Sequence, residues 1–469
     1  MTGHGPDPIL GPMSRPAWPL LLLLILVSVL PVRAAADSAE PTQAADPGAE
    51  PPAEPPADPP ADPWRDPLGY TAGLLAAACG LEDASAEALG QALGGATLVE
   101  EKQLQMGGET AGARRRYRLA NGDEVVVQHA SPDGLLRRFA VEFDQRQPDD
   151  SLRPLATTLA GSDCAVFHGR LIRYDAEGLA RTLELYGAGL SAPQAAEPLN
   201  PPVPEGRDPG GVAVALFDSG LNYALPPFAQ RLARDSEGRS LGYDFWDLDE
   251  RPFDSHPTVS PFFPFRHGTA VASVLLNEAP AARLLPYRYP RPDMGRMADM
   301  VEAAAGVGAV IAAMPMASDN PADWRAFAAA AEARPEMLFV VSAGNNGRDI
   351  EEAPVYPAAF GLENLLVVTS AETDGQLAAG ANRGAESVDL MVPAENLPVV
   401  DFTGAPNRGS GSSYAVPRVA ALAARLLAAH PDWRAPQLKA AILARAQPPQ
   451  GDAAEQVRYG FIADPAAGP

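Results

Sequence analysis

The chain has 469 residues, which is too long for one compact domain and long enough for a small domain followed by a larger one. Its 36 Lys and Arg stand against 59 Asp and Glu, giving a net charge of −23. This balance disfavours partners that are held through phosphates, so we expect no nucleic acid partner.

The first 36 residues have the composition of an export signal. Arg15 precedes an apolar run over residues 18–32, and Ala34-Ala35-Ala36 supplies the small residues of a cleavage site. An uncleaved membrane anchor is the alternative, although the run is shorter than the roughly 20 residues that cross a bilayer. We therefore expect an exported protein, extracellular or periplasmic, that contacts a membrane only if this segment stays uncleaved.

Composition divides the remaining chain into domains and linkers. Residues 37–67 are mostly Ala, Pro, Asp and Glu, which predicts a disordered linker. Residues 68–190 indicate a small α+β domain, residues 191–211 a second linker rich in Pro and Ala, residues 212–449 the main domain and residues 450–469 a C-terminal tail.

The small domain combines helical and strand patterns. Helices are predicted at 71–79 and 85–93, and strands at 115–119 and 124–128 flank the hairpin turn signal Asn121-Gly122. Further strands are predicted at 138–143, 171–174 and 180–185. The chain's two cysteines, Cys79 and Cys164, both fall in this domain, which favours a disulfide in an oxidising compartment over two separately buried thiols.

The main domain begins with a buried-strand pattern that ends in Asp218-Ser219-Gly220. In an open α/β sheet, functional residues gather at the carboxyl ends of the strands, where this pattern places Asp218. Further along, His267 opens an apolar helix and is followed by Gly268, which lets another backbone approach closely. This arrangement favours a positioned base over a packing residue.

Two later segments supply complementary chemistry. A short apolar strand at 338–342 leads into Asn345, whose side-chain amide can donate to a developing oxyanion. Ser413 lies at the start of an Ala- and Leu-rich helix, where backbone N–H groups and the helix dipole favour negative charge. Alone, the Asn345 segment is better interpreted as an Asn-Gly turn, and Asp218-Ser219-Gly220 is more often a turn as well, so the combination of segments carries the interpretation.

In the order Asp, His, Asn, Ser, these segments resemble the subtilisin-like serine peptidases, whose nucleophile motif is normally Gly-Thr-Ser-x-Ala-x-Pro. Here the motif reads Gly411-Ser412-Ser413-Tyr414-Ala415-Val416-Pro417, and the similarity covers roughly residues 212–445. In an α/β-hydrolase the nucleophilic Ser comes first in the chain, within a G-x-S-x-G motif, and the His comes last. This chain has the opposite order and lacks that motif.

The resemblance implies a doubly wound, mainly parallel sheet preceded by the small α+β domain. It also implies an endopeptidase with Ser413 as nucleophile, His267 as base, Asp218 orienting the imidazole and Asn345 in the oxyanion hole. Protein or peptide substrates and no required cofactor follow. A catalytically silent domain that binds peptides or partners is the alternative.

Several expectations concern departures and accessory features. The stretch 310–318 occupies the position of a substrate-pairing edge strand, and Met316 replaces a usual Gly, so we expect a restricted binding cleft. The aromatic residues at 262–265 indicate either an apolar rim or, preferably, a packed loop. Members of this family commonly carry a propeptide, removed by self-cleavage, at the position of residues 68–190, so we expect this domain to be such a propeptide or, equally, a domain that recruits a partner or stays attached.

Calcium is a further question that the resemblance raises, because many relatives bind it. The acidic residues before His267 follow no calcium-loop spacing, so a solvated or ion-paired face is the preferred interpretation and structural calcium the alternative. These residues are Asp244, Asp247, Asp249 and Asp254.

Overall fold

The computed structural model describes residues 63, 65–106, 109–131, 138–291, 293–448 and 456–468. The predicted signal at 1–36 and nearly all of the linker at 37–67 lie outside these ranges, and the tail at 450–469 is described only over 456–468. The described residues form two compact units. The first comprises residues up to Gly169 together with Tyr186–Ala192, and the second comprises Arg170–Leu185 together with residues from Pro193 onward.

The first unit begins with two helices whose starts are capped by side chains. Asp66 accepts a hydrogen bond from the backbone N–H of Gly69 at 2.9 Å, and Ser85 accepts one from Ala88 at 3.2 Å. The elements are α1 (Pro67–Ala78), α2 (Ala86–Ala92), β1 (Thr97–Met106), β2 (Glu109–Arg118), β3 (Glu124–Ala130), β4 (Arg138–Arg146) and β5 (Leu152–Ala160).

Strands β1 to β5 pair antiparallel in chain order. The predicted turn at Asn121-Gly122 joins β2 to β3, with Arg118 facing Glu124 and Gly122 at a φ of 92°. The helices pack on one face of these strands through buried Leu75 and Leu89. Cys79 and Cys164 form a disulfide, which confirms that prediction, and the predicted α+β architecture is also confirmed.

The division between the units falls within β6 (Val166–Tyr174) and β7 (Ala180–Gly187). Strand β7 neighbours both β6 and β8 (Pro193–Pro198). Strand β8 lies inside the stretch 191–211 that composition indicates as a linker, and Leu199 just after it is buried with Ile172, Leu183 and Phe262 of the second unit.

The second unit alternates strands and helices. Its elements after β8 are β9 (Ala213–Asp218), α3 (Pro226–Ala229), β10 (Tyr243–Asp244), β11 (His256–Ser260), β12 (Phe263–Phe265), α4 (Gly268–Glu278), β13 (Arg283–Arg288), α5 (Met297–Gly306), β14 (Ile311–Met314), α6 (Pro321–Glu332), β15 (Leu338–Ser342), β16 (Leu365–Ala371), β17 (Leu390–Pro393), β18 (Leu397–Val400), β19 (Pro406–Gly409), α7 (Ser412–Ala429), α8 (Ala435–Leu443) and β20 (Gly460–Phe461). Short 3₁₀ turns occur at Met294–Arg296 and Ala358–Phe360.

Within the described residues, eight strands form a parallel sheet in the order β10-β13-β9-β14-β15-β16-β17-β20. Alternate residues of each strand point to opposite faces. On β9, Val214 and Leu216 face the cluster that includes α4, α7 and α8, whereas Ala215 and Phe217 face the cluster that includes α5 and α6. Both faces are therefore covered by helices, which confirms the predicted doubly wound architecture.

The interpretation of 310–318 as an edge strand is wrong. Strand β14 is paired with β9 on one side and with β15 on the other. Its four residues are all buried, as expected for a central strand of a sheet that is covered on both faces. Pro315 and Met316 follow its carboxyl end, where Pro315 is buried and Met316 is partly exposed. The predicted effect of Met316 on substrates therefore concerns a loop rather than a pairing strand.

The aromatic residues at 262–265 lie in and next to a short hairpin. Phe262 is fully buried, and β12 pairs with β11 in a hairpin, so most of the aromatic stretch forms a packed loop, which is the preferred interpretation.

In the described part of the chain, no helix combines the length and apolarity needed to cross a membrane.

Candidate active site

The predicted site residues lie at the ends of neighbouring elements. Asp218 is the last residue of β9, His267 immediately precedes α4, Asn345 follows β15, and Ser413 is the second residue of α7. Strands β9, β14 and β15 are adjacent and parallel, so their carboxyl ends share one edge of the sheet. The fold thus brings segments that are distant in sequence to one place.

Asp218 and His267 are in direct contact. His267 Nδ1 lies 2.9 Å from both carboxylate oxygens of Asp218, whose side chain is 3% exposed. Gly268 permits this approach, because a Cβ there would lie 2.0 Å from the carbonyl oxygen of Gly220 and 3.1 Å from the Asp218 Cβ. The close backbone approach predicted for this glycine is therefore confirmed.

Two opposing effects set the pKa of His267. Burial lowers the pKa of the imidazole, but the charge of Asp218, the hydrogen bond to Asp218 and the charge of Asp254 together raise it above its usual value. The ring of Phe265 stacks on the imidazole with centroids 5.4 Å apart. An imidazole held by a buried carboxylate with Nε2 on the opposite side is arranged to accept a proton at that atom.

Ser413 lies at the N-terminus of α7, one residue before Tyr414. Its hydroxyl donates to the carbonyl of Pro315 at 3.3 Å, and no hydrogen bond joins it to His267 among the described residues. The adjacent Tyr414 ring is 6.1 Å from the His267 ring, centroid to centroid. Catalytic hydrogen bonds in the absence of substrate are often long or misdirected.

The Tyr414 ring lies near the imidazole of His267, at a tilted angle to it. It packs so closely on Gly409 that a Cβ on that glycine would lie 2.4 Å from the tyrosine ring. Burial, reinforced by the charges of Asp218 and Asp254, raises the pKa of Tyr414 to about 12. The phenol therefore stays neutral at physiological pH and is a poor proton carrier.

Asn345 is exposed, and its amide orientation follows from its partners. The backbone N–H and the hydroxyl of Ser412 both donate to Asn345 Oδ1 at 2.9 Å. Since an N–H only donates, the accepting atom is the amide oxygen. The amide NH₂ consequently points away from Ser412, with no acceptor among the described residues.

Sequence reasoning missed the buried carboxylate that holds Asp218 and His267 in register. Asp254 is fully buried and accepts from the Ser219 hydroxyl at 2.6 Å, the His267 backbone at 3.2 Å, and the Thr269 backbone and hydroxyl at 2.9 and 2.5 Å. Burial raises the pKa of Asp254, and the donors oppose that shift. Its separation of 13 residues from His267 leaves no local sequence signal for this role.

A second missed residue, Asn382, holds the turn that carries Asn345. The fully buried Asn382 accepts from the backbones of Asn346 and Arg348 at 2.9 and 3.1 Å and donates to the Ala343 carbonyl at 2.8 Å. One side chain thus ties together both ends of the turn after β15.

The acidic residues before His267 have protein partners. Arg288 pairs with Asp244 at 3.0 Å and Asp247 at 2.6 Å, and Arg251 pairs with Asp249 at 2.8 Å. The ion-paired interpretation therefore holds for these three, whereas Asp254 is neither solvated nor ion-paired. No group of three or more metal-ligating side chains is positioned to hold a metal ion in the part of the chain that the structure describes.

Comparison with known proteins agrees with this architecture. The model of the subtilase family matches residues 210–461, which is more than half of the chain. A solved lanthipeptide protease is similar at 21% identity and a TM-score of 0.46, over 55% of this chain and 88% of that chain. A cold adapted subtilisin-like serine proteinase is similar at 22% identity and a TM-score of 0.45, over 56% of this chain and 94% of that chain. Among curated proteins, none matches this chain.

Proposed function

The chain belongs to the subtilase family, and we propose that it is an exported serine endopeptidase that uses Asp218, His267 and Ser413 to hydrolyse peptide bonds. The observation that carries the proposal is the 2.9 Å contact between His267 Nδ1 and the buried Asp218 carboxylate. A neutral histidine oriented in this way offers Nε2 as a base, and Ser413 supplies a hydroxyl at the start of a long helix.

The reaction uses each group in turn. The Ser413 hydroxyl leaves the Pro315 carbonyl, gives its proton to His267 Nε2 and attacks the scissile carbonyl carbon. Asp218 stabilises the imidazolium that forms. The proton then passes to the leaving amine, and water attacks the acyl-enzyme by the same route in reverse, regenerating Ser413.

We propose that the oxyanion of each tetrahedral intermediate is bound by the Asn345 amide NH₂ and the Ser413 backbone N–H. The orientation of the Asn345 amide oxygen toward Ser412 supports this role, because it leaves the donating end of the amide for the substrate. The N-terminus of α7 adds a favourable dipole for negative charge.

The test is labelling by a fluorophosphonate probe with mass-spectrometric mapping of the modified residue. Ser410, Ser412 and Ser413 lie within four residues of one another, so mapping must distinguish them. We expect modification at Ser413, none in Ser413→Ala, and normal labelling in the control Ser410→Ala. Absence of labelling in folded wild-type protein would instead favour the catalytically silent alternative.

Substrate class and location are part of the same proposal. We expect protein or peptide substrates and no required cofactor. The Cys79–Cys164 disulfide supports an oxidising compartment, in keeping with an export signal at residues 1–36. Cell fractionation with N-terminal sequencing of the mature protein tests this, and a full-length N-terminus on membrane-bound protein would support the anchored alternative.

Residues 68–190 are proposed as a propeptide whose covalent link to the main domain the protein cuts itself. Processing within 191–208 that occurs in the wild type and is absent from Ser413→Ala would support this role. The same processing in both proteins would show cleavage by another peptidase, and no processing in active wild-type protein would contradict removal.

A further inference from the structure

Two buried serine hydroxyls connect the end of β15 with the start of α7 directly behind Asn345. Ser342 is 2% exposed and Ser412 is fully buried, and their hydroxyl oxygens lie 2.7 Å apart. We propose that Ser342 is a positioning residue that acts through Ser412 to hold the Asn345 amide with its NH₂ toward the substrate. This inference rests on the proposed role of Asn345 in the oxyanion hole.

The direction of every hydrogen bond in this relay is fixed by its two ends. The backbone N–H of Gly344 donates to Ser342 Oγ at 3.0 Å, and the Ser412 hydroxyl donates its only proton to Asn345 Oδ1. Ser412 Oγ must then accept from Ser342, because a hydroxyl carries one proton. The relay therefore runs from Gly344 through Ser342 and Ser412 to the Asn345 amide oxygen.

Ser342 consequently restrains Asn345 from both its backbone and its side chain. Gly344 precedes Asn345 and has a φ of 97°, which glycine adopts readily, and its hydrogen bond to Ser342 fixes the turn that carries the amide. The Ser342 proton fixes the rotation of the Ser412 hydroxyl, which holds Asn345 Oδ1. Consecutive hydrogen bonds of this kind strengthen one another in a buried setting.

The amide orientation matters because the two ends of an amide have opposite polarity. With Oδ1 on Ser412, the NH₂ group meets a developing negative charge, whereas rotation by half a turn would present an oxygen to it. Asn345 is exposed, and among the described residues its side chain is held only by Ser412. The backbone N–H and the hydroxyl of Ser412 therefore control its orientation, and Ser342 acts on the hydroxyl.

The sequence setting of Ser342 also argues against simple packing. It ends a strand whose other residues, Leu338-Phe339-Val340-Val341, are apolar and buried. A hydroxyl in such a position is unfavourable unless its hydrogen bonds are satisfied. The hydroxyl of Ser342 bonds to Gly344, which lies in the segment that carries Asn345, and to Ser412, which holds the Asn345 side chain.

The test is a double-mutant cycle between Ser342→Ala and Asn345→Ala, measured as kcat and KM on a peptide substrate of the full-length protein. We expect Ser342→Ala to lower kcat by about tenfold with KM within about twofold, less than the roughly 10²–10³ expected for loss of the donor itself. In the Asn345→Ala background, Ser342→Ala should cause no further loss, because residues that act as a unit are not additive.

Ser370→Ala is the matched control, since Ser370 is a fully buried hydroxyl on the adjacent strand β16, where its partner is Glu395. Thermal melts of all variants separate folding effects from catalytic ones. A kcat for Ser342→Ala equal to that of Ser370→Ala, or an equal loss with and without Asn345, would overturn the positioning role.

A second pair of variants keeps the proposal testable if Ser342→Ala folds poorly. Ser412→Thr keeps the hydroxyl, whereas Ser412→Val introduces a side chain of the same shape as Thr in which a methyl group replaces the hydroxyl. We expect Thr to retain kcat and Val to lower it by about tenfold, in line with a weakened electrostatic contact to the transition state. Equal kcat values for Thr and Val would overturn the relay, whereas wild-type kcat in Asn345→Ala would refute the proposed oxyanion hole itself.

Discussion

Asp254 accepts a hydrogen bond from the backbone N–H of His267 although 13 residues separate them, and its carboxylate is fully buried. The same carboxylate binds the Ser219 hydroxyl, next to Asp218. It therefore joins the two chain segments that carry Asp218 and His267.

Asp254→Asn should destabilise the protein and impair catalysis together. An amide NH₂ cannot accept hydrogen bonds, so the variant leaves buried donors of Ser219, His267 or Thr269 unsatisfied. We expect a loss of about 2–4 kcal/mol in the free energy of unfolding, measured by denaturant titration. We also expect kcat/KM to fall by more than about tenfold, since small displacements of catalytic groups are costly.

Asp374→Asn is the control for this prediction, because Asp374 is an exposed carboxylate that accepts hydrogen bonds from the backbone and side chain of Gln376 in its own turn. It should change neither quantity appreciably. Wild-type stability in Asp254→Asn would contradict the idea that this carboxylate holds the site together.

The pH dependence of activity should follow the raised pKa of His267. A general base must be neutral, so kcat/KM should fall as the pH drops through a value above the usual histidine pKa of about 6.5. Asp218→Asn removes the carboxylate charge and its charge-assisted hydrogen bond, which raise this pKa, and leaves burial, which lowers it, and the charge of Asp254, which raises it less. The acid limb should therefore move to lower pH, with activity reduced by about 10⁴.

Histidine NMR can measure this shift without turnover, by comparing Ser413→Ala with Asp218→Asn/Ser413→Ala. The His267 midpoint should be lower in the double variant. An unchanged midpoint would mean that Asp218 does not set the protonation of His267.

The positions of the site residues could be predicted because each follows a local pattern. Asp218 ends an apolar strand, and His267 and Ser413 each open an apolar helix, so local patterns predict the element at whose end each residue lies, whereas their meeting is implied by the family resemblance. Asp254 and Ser342 have no such pattern. Their importance comes from hydrogen bonds to residues that are distant in sequence, which periodicity does not record.

The missed strands of the first unit have equally physical reasons. Strand β1 contains Glu100, Glu101 and Lys102 in succession, and it is exposed at the edge of its sheet, so it shows no alternation of polar and apolar residues. Strand β5 contains Pro154, which lies at the register shift between Phe143 and Asp144 of β4. Strands of this kind depend on their neighbours more than on their own sequence.

Met316→Gly should broaden the range of accepted substrates. Met316 follows Pro315, whose carbonyl accepts the Ser413 hydroxyl, so its side chain begins one residue from a contact of the proposed nucleophile. Cleavage of a random peptide library should show new products with bulky side chains, while cleavage next to small residues stays within about threefold. Hydrophobic pockets discriminate single groups by about 1–3 kcal/mol, which is large enough to detect.

Ala317→Gly controls for added loop flexibility, because Ala317 is exposed and adjacent. If both variants broaden cleavage equally, the effect comes from the backbone. If wild-type protein already cuts beside bulky and small residues alike, the restricted cleft itself is refuted.

Loss of the Cys79–Cys164 disulfide should loosen the first unit. The bond closes a separation of 85 residues, for which loop-closure entropy alone corresponds to about 4–5 kcal/mol. We expect Cys79→Ser/Cys164→Ser to lower the stability of this unit by roughly 2–5 kcal/mol. Hydrogen exchange of the core strands β3 and β4 should accelerate, whereas β15 of the second unit serves as an internal control. Unchanged exchange in β3 and β4 would contradict a stabilising role.

The contacts of Arg170 indicate what should follow if the chain is cut within 191–208. Its guanidinium donates to the Phe262 carbonyl at 2.8 Å and lies 4.2 Å from the centre of the Phe263 ring. Ile172 and Leu183 bury Phe262 from the same segment, which belongs to the second unit. The segment thus packs on the β11–β12 hairpin that leads into His267.

A cut in this stretch should therefore leave the two fragments associated. They should coelute in size-exclusion chromatography and separate only in denaturant, because the buried cluster persists without the peptide bond. Arg170→Ala/Ile172→Ala should promote separation and slow the enzyme by freeing the hairpin, while the exposed Arg173→Ala serves as the control. Spontaneous release of an N-terminal fragment, with full activity in the remainder, would show that this packing is dispensable for the site.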